Sequence, residues 1–500
     1  MKNIYKITLL IGFLSLTGCE EQLTTDPIGL SVKEDSDKKP TITAVENSVS
    51  SSYQLFSNTM NLFSEEDWNW STGLVFQSDL IVQDIASDDM EKKWLPDGDQ
   101  SWMDEVNNFT FTAANGGPNG AWKYNYEGIK RTNIALGFLL NPDLEKITKM
   151  STERKNQLLG EAYFLRSYYY FSLVNNFGDV PLILSPIEKY QDAFKIIRAP
   201  KGEVWNQINA DLVRAKDLLP DSKYSSSTEK WRVSKGAVIA LQAKSALYNK
   251  NWGLVISLVS ELEMRNYYDL NANYFDSFNS EYTDNEVIFS YNHIQNVIPK
   301  KGNGICAIAG WGFFAPTADF LASFEPNDPR KLYTVNVQEQ WVNKLLGSIN
   351  GTNKSNKESP NNKIYIRYAD VLLWKAEALN ETGDYAGSIA IINKIRKRAR
   401  TTVTTTGTIA PDGTLPDREQ STDKAVVKAW LIAERRAELG FESQRMHDLK
   451  RWGIAKEVMR AHGKNFQDKH MLYPVPQSEI DATARRLTQN RVINIKPDRF

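Results

Sequence analysis

The stretch ADVLLWKAEALNETGDYAGSIAIINKIRKRA, Ala369 to Ala399, constrains the fold more than any other part of the sequence. It reads as a helix, a short turn and a second helix, the form of a tetratricopeptide pair. Ala376 is small where two helices must approach closely, Gly383 suits the left-handed conformation that ends a helix, and Asp384 can cap the next one. One such pair cannot bury its own apolar face, so several must stack into a right-handed helical scaffold. ALYNKNWGLVISLV, from Ala246 to Val259, repeats the order of small residue, aromatic, turn and aromatic more loosely.

Helical periodicity runs through much of the chain. Between Lys155 and Phe177, Leu158, Ala162, Leu165, Tyr169 and Leu173 recur at three- and four-residue intervals and make one apolar face, which Gly178, Asp179 and Pro181 end. Similar stretches lie near 122–140, 203–219, 233–249, 252–263, 364–382, 385–400, 424–440 and 445–461. Helical repeats near 120–263 and 364–461 alternate with segments 64–119, 264–362 and 400–423, which are rich in Gly, Asn, Ser and Thr and hold strand-like runs such as Glu286 to Ser290. The expected fold class is mainly α, a tetratricopeptide-like helical repeat scaffold with a loop-rich, irregular ligand-binding lobe from 64–119 and 264–362. Loops that long inside a compact body are usually functional or disordered, and they are the natural place for a ligand site.

Residues 1–18 have the composition of a secretory signal: Lys2 and Lys6 precede the apolar run Ile7 to Leu16, which is too short to span a bilayer. Leu16-Thr17-Gly18-Cys19 looks like a bacterial lipobox, which predicts diacylglyceryl transfer to Cys19 and cleavage before it. The acyl chains on Cys19 are then expected to anchor the chain to a membrane. Residues 19–40, poor in large apolar side chains, read as a lipidated tether, and 41–500 as the body. Removing Lys2 and Lys6 takes the formal charge from −1 to −3 (−1 − 2), which argues against a nucleic-acid partner. Beyond Cys19 only Cys306 remains, so no disulfide framework is available.

Several motifs resemble one known family. GEAYFLRSYYYFSLVNNFGDVPL (Gly160 to Leu182) is similar to the signature helix of SusD/RagB proteins. FEPNDPR (Phe324 to Arg330), YIRYADVLLWKAEALNETGDY (Tyr365 to Tyr385), INKIRKRA (Ile392 to Ala399), ERRAELGFESQRMHDLKRWG (Glu434 to Gly453), YPVPQSEI (Tyr473 to Ile480) and LTQN (Leu487 to Asn490) follow in the family's order. The resemblance implies a surface-exposed outer-membrane lipoprotein of a Bacteroidota-type bacterium. It would bind oligosaccharide without chemistry or cofactor and deliver it to a SusC-like TonB-dependent transporter. A peptide-binding member of the same family and a tetratricopeptide scaffold for protein partners are the alternatives.

The residues themselves argue against catalysis. Glu434, Glu438 and Glu442 share one helix face at four-residue spacing and Arg445, Asp448 and Arg451 follow at three, which predicts an ion-pair network locking the C-terminal helices. A general acid needs a raised pKa, and a neighbouring arginine lowers it, so a helical-toroid glycosidase or lyase is disfavoured. The four histidines, His293, His447, His462 and His470, show no metal-pair spacing, and no metal site is expected.

Tryptophan points to the ligand. Trp68, Trp70, Trp94, Trp102, Trp311 and Trp341 lie in loop-rich segments, where exposed rings can stack on sugar faces. Trp311 and Phe313 occur in GNGICAIAGWGFF, a poor helix former that favours presentation at a surface. The site is therefore expected where the segment around Trp94 and Trp102 meets Tyr291 to Phe314. Trp311, Trp94, Trp102, Tyr291 and Phe313 are its aromatic candidates, with Asn292 and Asp89 as hydroxyl partners.

Overall fold

The computed structural model describes residues 40–57, 79–93, 99–187, 189–279, 284–297, 301–354, 358–404 and 407–490. The leader, Cys19, most of the tether, Trp68, Trp70 and Trp94 lie outside the described residues.

The helices that matter for the site are α1 (Ile42–Tyr53), α2 (Ser101–Asn108), α3 (Gly116–Leu139), α4 (Thr152–Phe177), α5 (Lys201–Leu218), α6 (Lys235–Tyr248), α7 (Trp252–Arg265), α8 (Gly304–Gly310), α9 (Tyr368–Thr382), α10 (Tyr385–Arg400), α11 (Lys424–Leu439), α12 (Arg445–Arg451) and α13 (Ala455–Ala461). Each of α3 to α6 packs on its successor, α7 packs on α9, and α9 packs on both α10 and α11, so the helices form one continuous stack. The tetratricopeptide reading of α9 and α10 matches the geometry. Ala376 is fully buried, Gly383 takes φ +92° at the end of α9, and Asp384 Oδ1 accepts from Gly387 N at 2.9 Å to start α10.

Helix α4 shows why an apolar stripe understates a central helix. Beyond the expected Leu158, Ala162, Leu165, Tyr169 and Leu173, it also buries Leu159, Phe164, Tyr170, Phe171 and Val174, because neighbours cover it on several sides. Ser151 Oγ caps its first turn and Gly178, at φ +74°, ends it. Buried Arg166 ties the layers together, with both Asp211 oxygens on α5 at 2.8 and 2.9 Å and Asn133 Oδ1 on α3 at 3.0 Å. Glu161 does the same for the N-terminal helix: it accepts from Tyr53 Oη at 2.9 Å and pairs with Arg232 at 2.6 Å.

The lobe is an excursion between α7 and α9. The chain leaves the stack at Asn266, which takes φ +53°, and returns through Arg367. Three antiparallel two-stranded sheets are found among the described residues: β1 (Met90–Glu91) with β3 (Ala315–Pro316), β2 (Val287–Tyr291) with β6 (Lys363–Arg367), and β4 (Val335–Asn336) with β5 (Trp341–Val342). In the second, Val287 faces Arg367 and Tyr291 faces Lys363, with the register shifting around Phe289. The pairing places β6 directly before α9 and holds the lobe against the scaffold.

Three local readings change. The Gly-rich run does form a short helix, α8, because Asn303 Oδ1 caps Ile305 N at 3.1 Å and Ile305 to Ala309 are all buried. The stretch expected as one helix over 445–461 is broken into α12 and α13 by Gly453 at φ +77°. Residues 364–367, expected as the start of a helix, are strand.

Candidate functional site

The two loop segments of the lobe meet at β1 and β3. Strand β1 pairs with β3, Glu91 opposite Ala315 and Met90 opposite Pro316, and Thr317 bonds the carbonyls of Asp88 and Asp89 at 2.6 and 2.9 Å. Helix α8 carries its buried face into the core and delivers Trp311, half-buried, at its C-terminal end. Gly312, at φ +87°, then turns the chain so that Phe313 and Phe314 pack inward.

Both α8 and β3 pack on strand β5, whose Trp341 is also half-buried. Its Nε1 donates to Asn343 Oδ1 at 2.9 Å, Lys354 Nζ sits 4.3 Å from its ring centroid, and Gly351 lies flat enough that a Cβ there would come within 3.2 Å of the indole. The hairpin tip is exposed, and Lys93 Nζ clamps it by donating to the Glu339 carbonyl at 2.6 Å. Trp341 thus sits between Lys354 and the turn that carries Gly351, and the elements on either side of Trp311 pack on its strand. Trp341 and Lys354 were not chosen from sequence. The signal was a tryptophan in a loop-rich segment followed by a Gly-Thr-Asn-Lys turn, which by itself does not say which face stays open.

The other expected ligand groups are placed differently. Trp102 is 4% exposed because α2 is amphipathic and turns it inward, with Nε1 donating to Gln100 Oε1 at 2.8 Å. Tyr291 is 6% exposed on β2, its ring edge-on to His293 at 4.8 Å, and Phe313 is buried at 9%. Asp89 is 1% exposed and bonds Arg436 Nε at 2.7 Å, so it serves a salt bridge and not a sugar hydroxyl. Asn292 is half-buried beside Tyr291, and Trp94 lies outside the described residues.

The carboxylates of the 434–448 segment are committed to arginines. Glu438 is fully buried among Arg330, Arg367 and Arg398, with Arg367 at 2.8 Å and Arg330 at 3.3 Å. Burial alone would raise its pKa, but Arg398, Arg367, Arg330 and Lys344 override that and hold it at about 2. Arg330 also bonds Glu434 at 2.5 Å and Asp328 at 2.8 Å, while Glu442 joins Arg367 and Lys344, each at 2.7 Å. A second cluster sets Arg435 between Asp370 and Asp448, both at 2.8 Å. The expected ion-pair network is therefore present, and it also recruits Glu286 from the lobe through Arg367 and Arg398 at 2.7 and 2.9 Å. A carboxylate held this acidic cannot act as a general acid near neutral pH.

Asp88, Asp319 and His462 bring ligand atoms within 4.8 Å of one another. Arg436 and Arg445 already bond those carboxylates, at 2.7 Å to Asp319 and 2.7 Å to Asp88, and supply the positive charge that a cation would bring. The donor set fits an ion-pair cluster better than a metal centre.

A stack of tetratricopeptide-like helix pairs with an inserted, aromatic-bearing lobe defines a scaffold of the binding type. The chain matches the family described as "SusD family" over residues 327–492 and the one described as "Starch-binding associating with outer membrane" over residues 30–247. It belongs to the SusD/RagB family. SusD-like protein P2 of Formosa agariphila is 27% identical, the alignment covering 97% of this chain and 99% of that one. A laminarin binding SusD-like protein has a TM-score of 0.69 at 23% identity, over 90% of this chain and 99% of that one. Surface glycan-binding protein A from Bacteroides thetaiotaomicron in complex with laminarihexaose has a TM-score of 0.70 at 21% identity, over 90% and 100%.

Proposed function

We propose that the protein is a non-catalytic glycan-binding lipoprotein of the outer-membrane surface, which holds an oligosaccharide on the lobe and delivers it to a SusC-like TonB-dependent transporter. The observation that carries the reading is the half-exposed Trp311 beside the Trp341 hairpin. Aromatic rings of this kind suit the C–H face of a sugar. Glycan-binding relatives of the same fold, the laminarihexaose complex among them, support the ligand class. Outer-membrane association is supported by the family description matched over residues 30–247. Among the described residues no helix is long and apolar enough to cross a membrane, which accords with attachment through Cys19.

Calorimetry against a panel of oligosaccharides, with laminarihexaose included, tests the ligand. Trp311→Ala should weaken binding of the cognate glycan about thirtyfold, about 2 kcal/mol, with little change in melting temperature. Unchanged affinity removes Trp311 from the site. A large fall in melting temperature makes it a packing residue. Co-purification after gentle solubilisation tests the transporter, and recovery of monomer alone argues against that partner.

A further inference from the structure

A narrow polar cavity lies away from the aromatic surface, where the turn Ile81–Ile85 meets α4, α6, β6 and α12. Gln83, Ser172, Asn176, Lys244, Ser443 and His447 contribute to its wall, and its volume of about 50 Å³ has room for roughly four waters. That is too small for a sugar ring.

Lys244 is the anomaly. It is only 7% exposed on α6, yet among the described residues no carboxylate reaches its ammonium within 4 Å and it makes no hydrogen bond. It has only the faces of Trp374 and Phe171, with Nζ 5.6 and 5.7 Å from their centroids. A buried ammonium without a counter-charge is costly.

The charges around it are engaged elsewhere. Asp370 and Asp448 are bonded by Arg435, and Asp448 also by Arg451 at 2.9 Å. Asp79, Glu442 and Lys363 also line the cavity, where Asp79 pairs with Lys363, and Glu442 with Lys344 and Arg367. His447 adds no negative charge, and burial drives its imidazole well below the usual range, to the neutral form. Lys450, on the same helix, is a further buried lysine, its pKa lowered by burial to about 7, whose Nζ has no hydrogen-bond partner and lies 4.6 Å from the Tyr473 ring centroid.

The cavity also offers spare donors. The hydroxyls of Ser172 and Ser443 make no hydrogen bond to the described residues. Gln83 braces the wall, its Oε1 accepting from His447 N at 2.9 Å and its Nε2 donating to Asn176 Oδ1 at 3.2 Å. An unpaired ammonium with two free hydroxyls in a space of a few waters is the donor set of a small anion.

We propose that this cavity is a binding site for a small monovalent anion of chloride's size, held by Lys244 and the hydroxyls of Ser172 and Ser443. Such an ion would join α6, the signature helix α4 and the turn that precedes α12 through one charge, independently of any glycan.

The full-length body, crystallised and soaked in bromide, should show an anomalous peak in bonding distance of Lys244 Nζ. In solution, chloride should raise the melting temperature saturably relative to sodium gluconate at the same ionic strength, because gluconate is too large for the cavity. Lys244→Met should abolish that difference, whatever its own stability. An empty cavity in the bromide map overturns the proposal, as does an undiminished chloride response in the variant. Should the variant fail to fold, the wild-type bromide map and chloride titration decide alone.

Discussion

Substituting Glu438 by Gln keeps the shape of the side chain and removes one charge from the centre of the network. Arg330, Arg367 and Arg398 stay in place, and each loses its shared anionic partner. The magnitude follows from the protonation equilibrium. Glu438 is fully buried, and its pKa falls from an ordinary 4.5 to about 2, mainly because the arginines overcome the burial that opposes ionisation. At about 1.36 kcal/mol per unit, this corresponds to roughly 3 kcal/mol of stability at pH 7. Measured losses for breaking buried pairs, about 3–5 kcal/mol, agree. The sign is fixed by the direction of the shift. A carboxylate with a depressed folded pKa contributes fully above its unfolded value, and the contribution drains away as pH falls through 4.5 toward 2. Urea denaturation of wild type and Glu438→Gln at pH 7 should therefore differ by about 3 kcal/mol, and the gap should shrink to under half by about pH 3. A variant within about 1 kcal/mol of wild type at pH 7, or a gap that does not narrow on acidification, would refute the assignment of Glu438 as the hub.

Further expectations concern other parts of the molecule. On α3, Gly128→Ala forces a methyl group into the Tyr169 ring and should cost about 1–3 kcal/mol, whereas Gly137→Ala on the exposed side of the same helix meets nothing within 4 Å and should gain up to about 1 kcal/mol. Equal effects in thermal unfolding would contradict the packing described. His293 is held neutral, its Nε2 donating to the Ser57 carbonyl at 2.5 Å and its Nδ1 accepting from Lys363 N, and burial lowers its pKa to about 3. Its contribution to stability is complete above the unfolded value of about 6.5 and is lost as pH falls from there toward 3, so its NMR ring signals should not titrate between pH 8 and 5; a midpoint near 6.5 defeats the assignment. Cys19→Ala should release the body from membranes without altering its melting temperature, and absence of fatty-acid label on the wild type would defeat the lipobox reading.

The scaffold was legible because it repeats. Ala376, Gly383 and Asp384 announce a close approach, an end and a beginning, and each does its expected work through local backbone geometry. The charged face was legible in part for a similar reason: helical spacing aligns Glu434 and Glu438 on α11, whereas Glu442 lies past the end of that helix at Leu439 and reaches Lys344 and Arg367 from the turn beyond it. The lobe was harder. Whether Trp102 faces water depends on which side of α2 meets the core, and whether Asp89 is free depends on Arg436, which is 347 residues away. Asp89 is therefore a salt-bridge partner and not the expected hydroxyl partner, and Trp102, Tyr291 and Phe313 are buried rings and not open ones. Residues 88–91 meet 315–317, beside the segments expected to meet, whereas Trp341 lies on a hairpin and Lys354 on a later turn that tertiary contact brings to it.

The arginine bridges also impose an order in time. Asp88 and Asp89 emerge early from the ribosome or the export channel, and their partners Arg436 and Arg445 are among the last residues to follow. Glu286 likewise waits 112 residues for Arg398. Until then the early carboxylates have no buried place to go, because an unpaired charge is not admitted to an apolar interior. Helices α3 to α6 pack on their sequence neighbours and can assemble as they appear, whereas the lobe can close only when α11 and α12 arrive. Nascent chains halted before Arg436 should accordingly carry a folded helical stem and an open lobe, susceptible to protease, and the final seventy residues act as the latch of the whole protein.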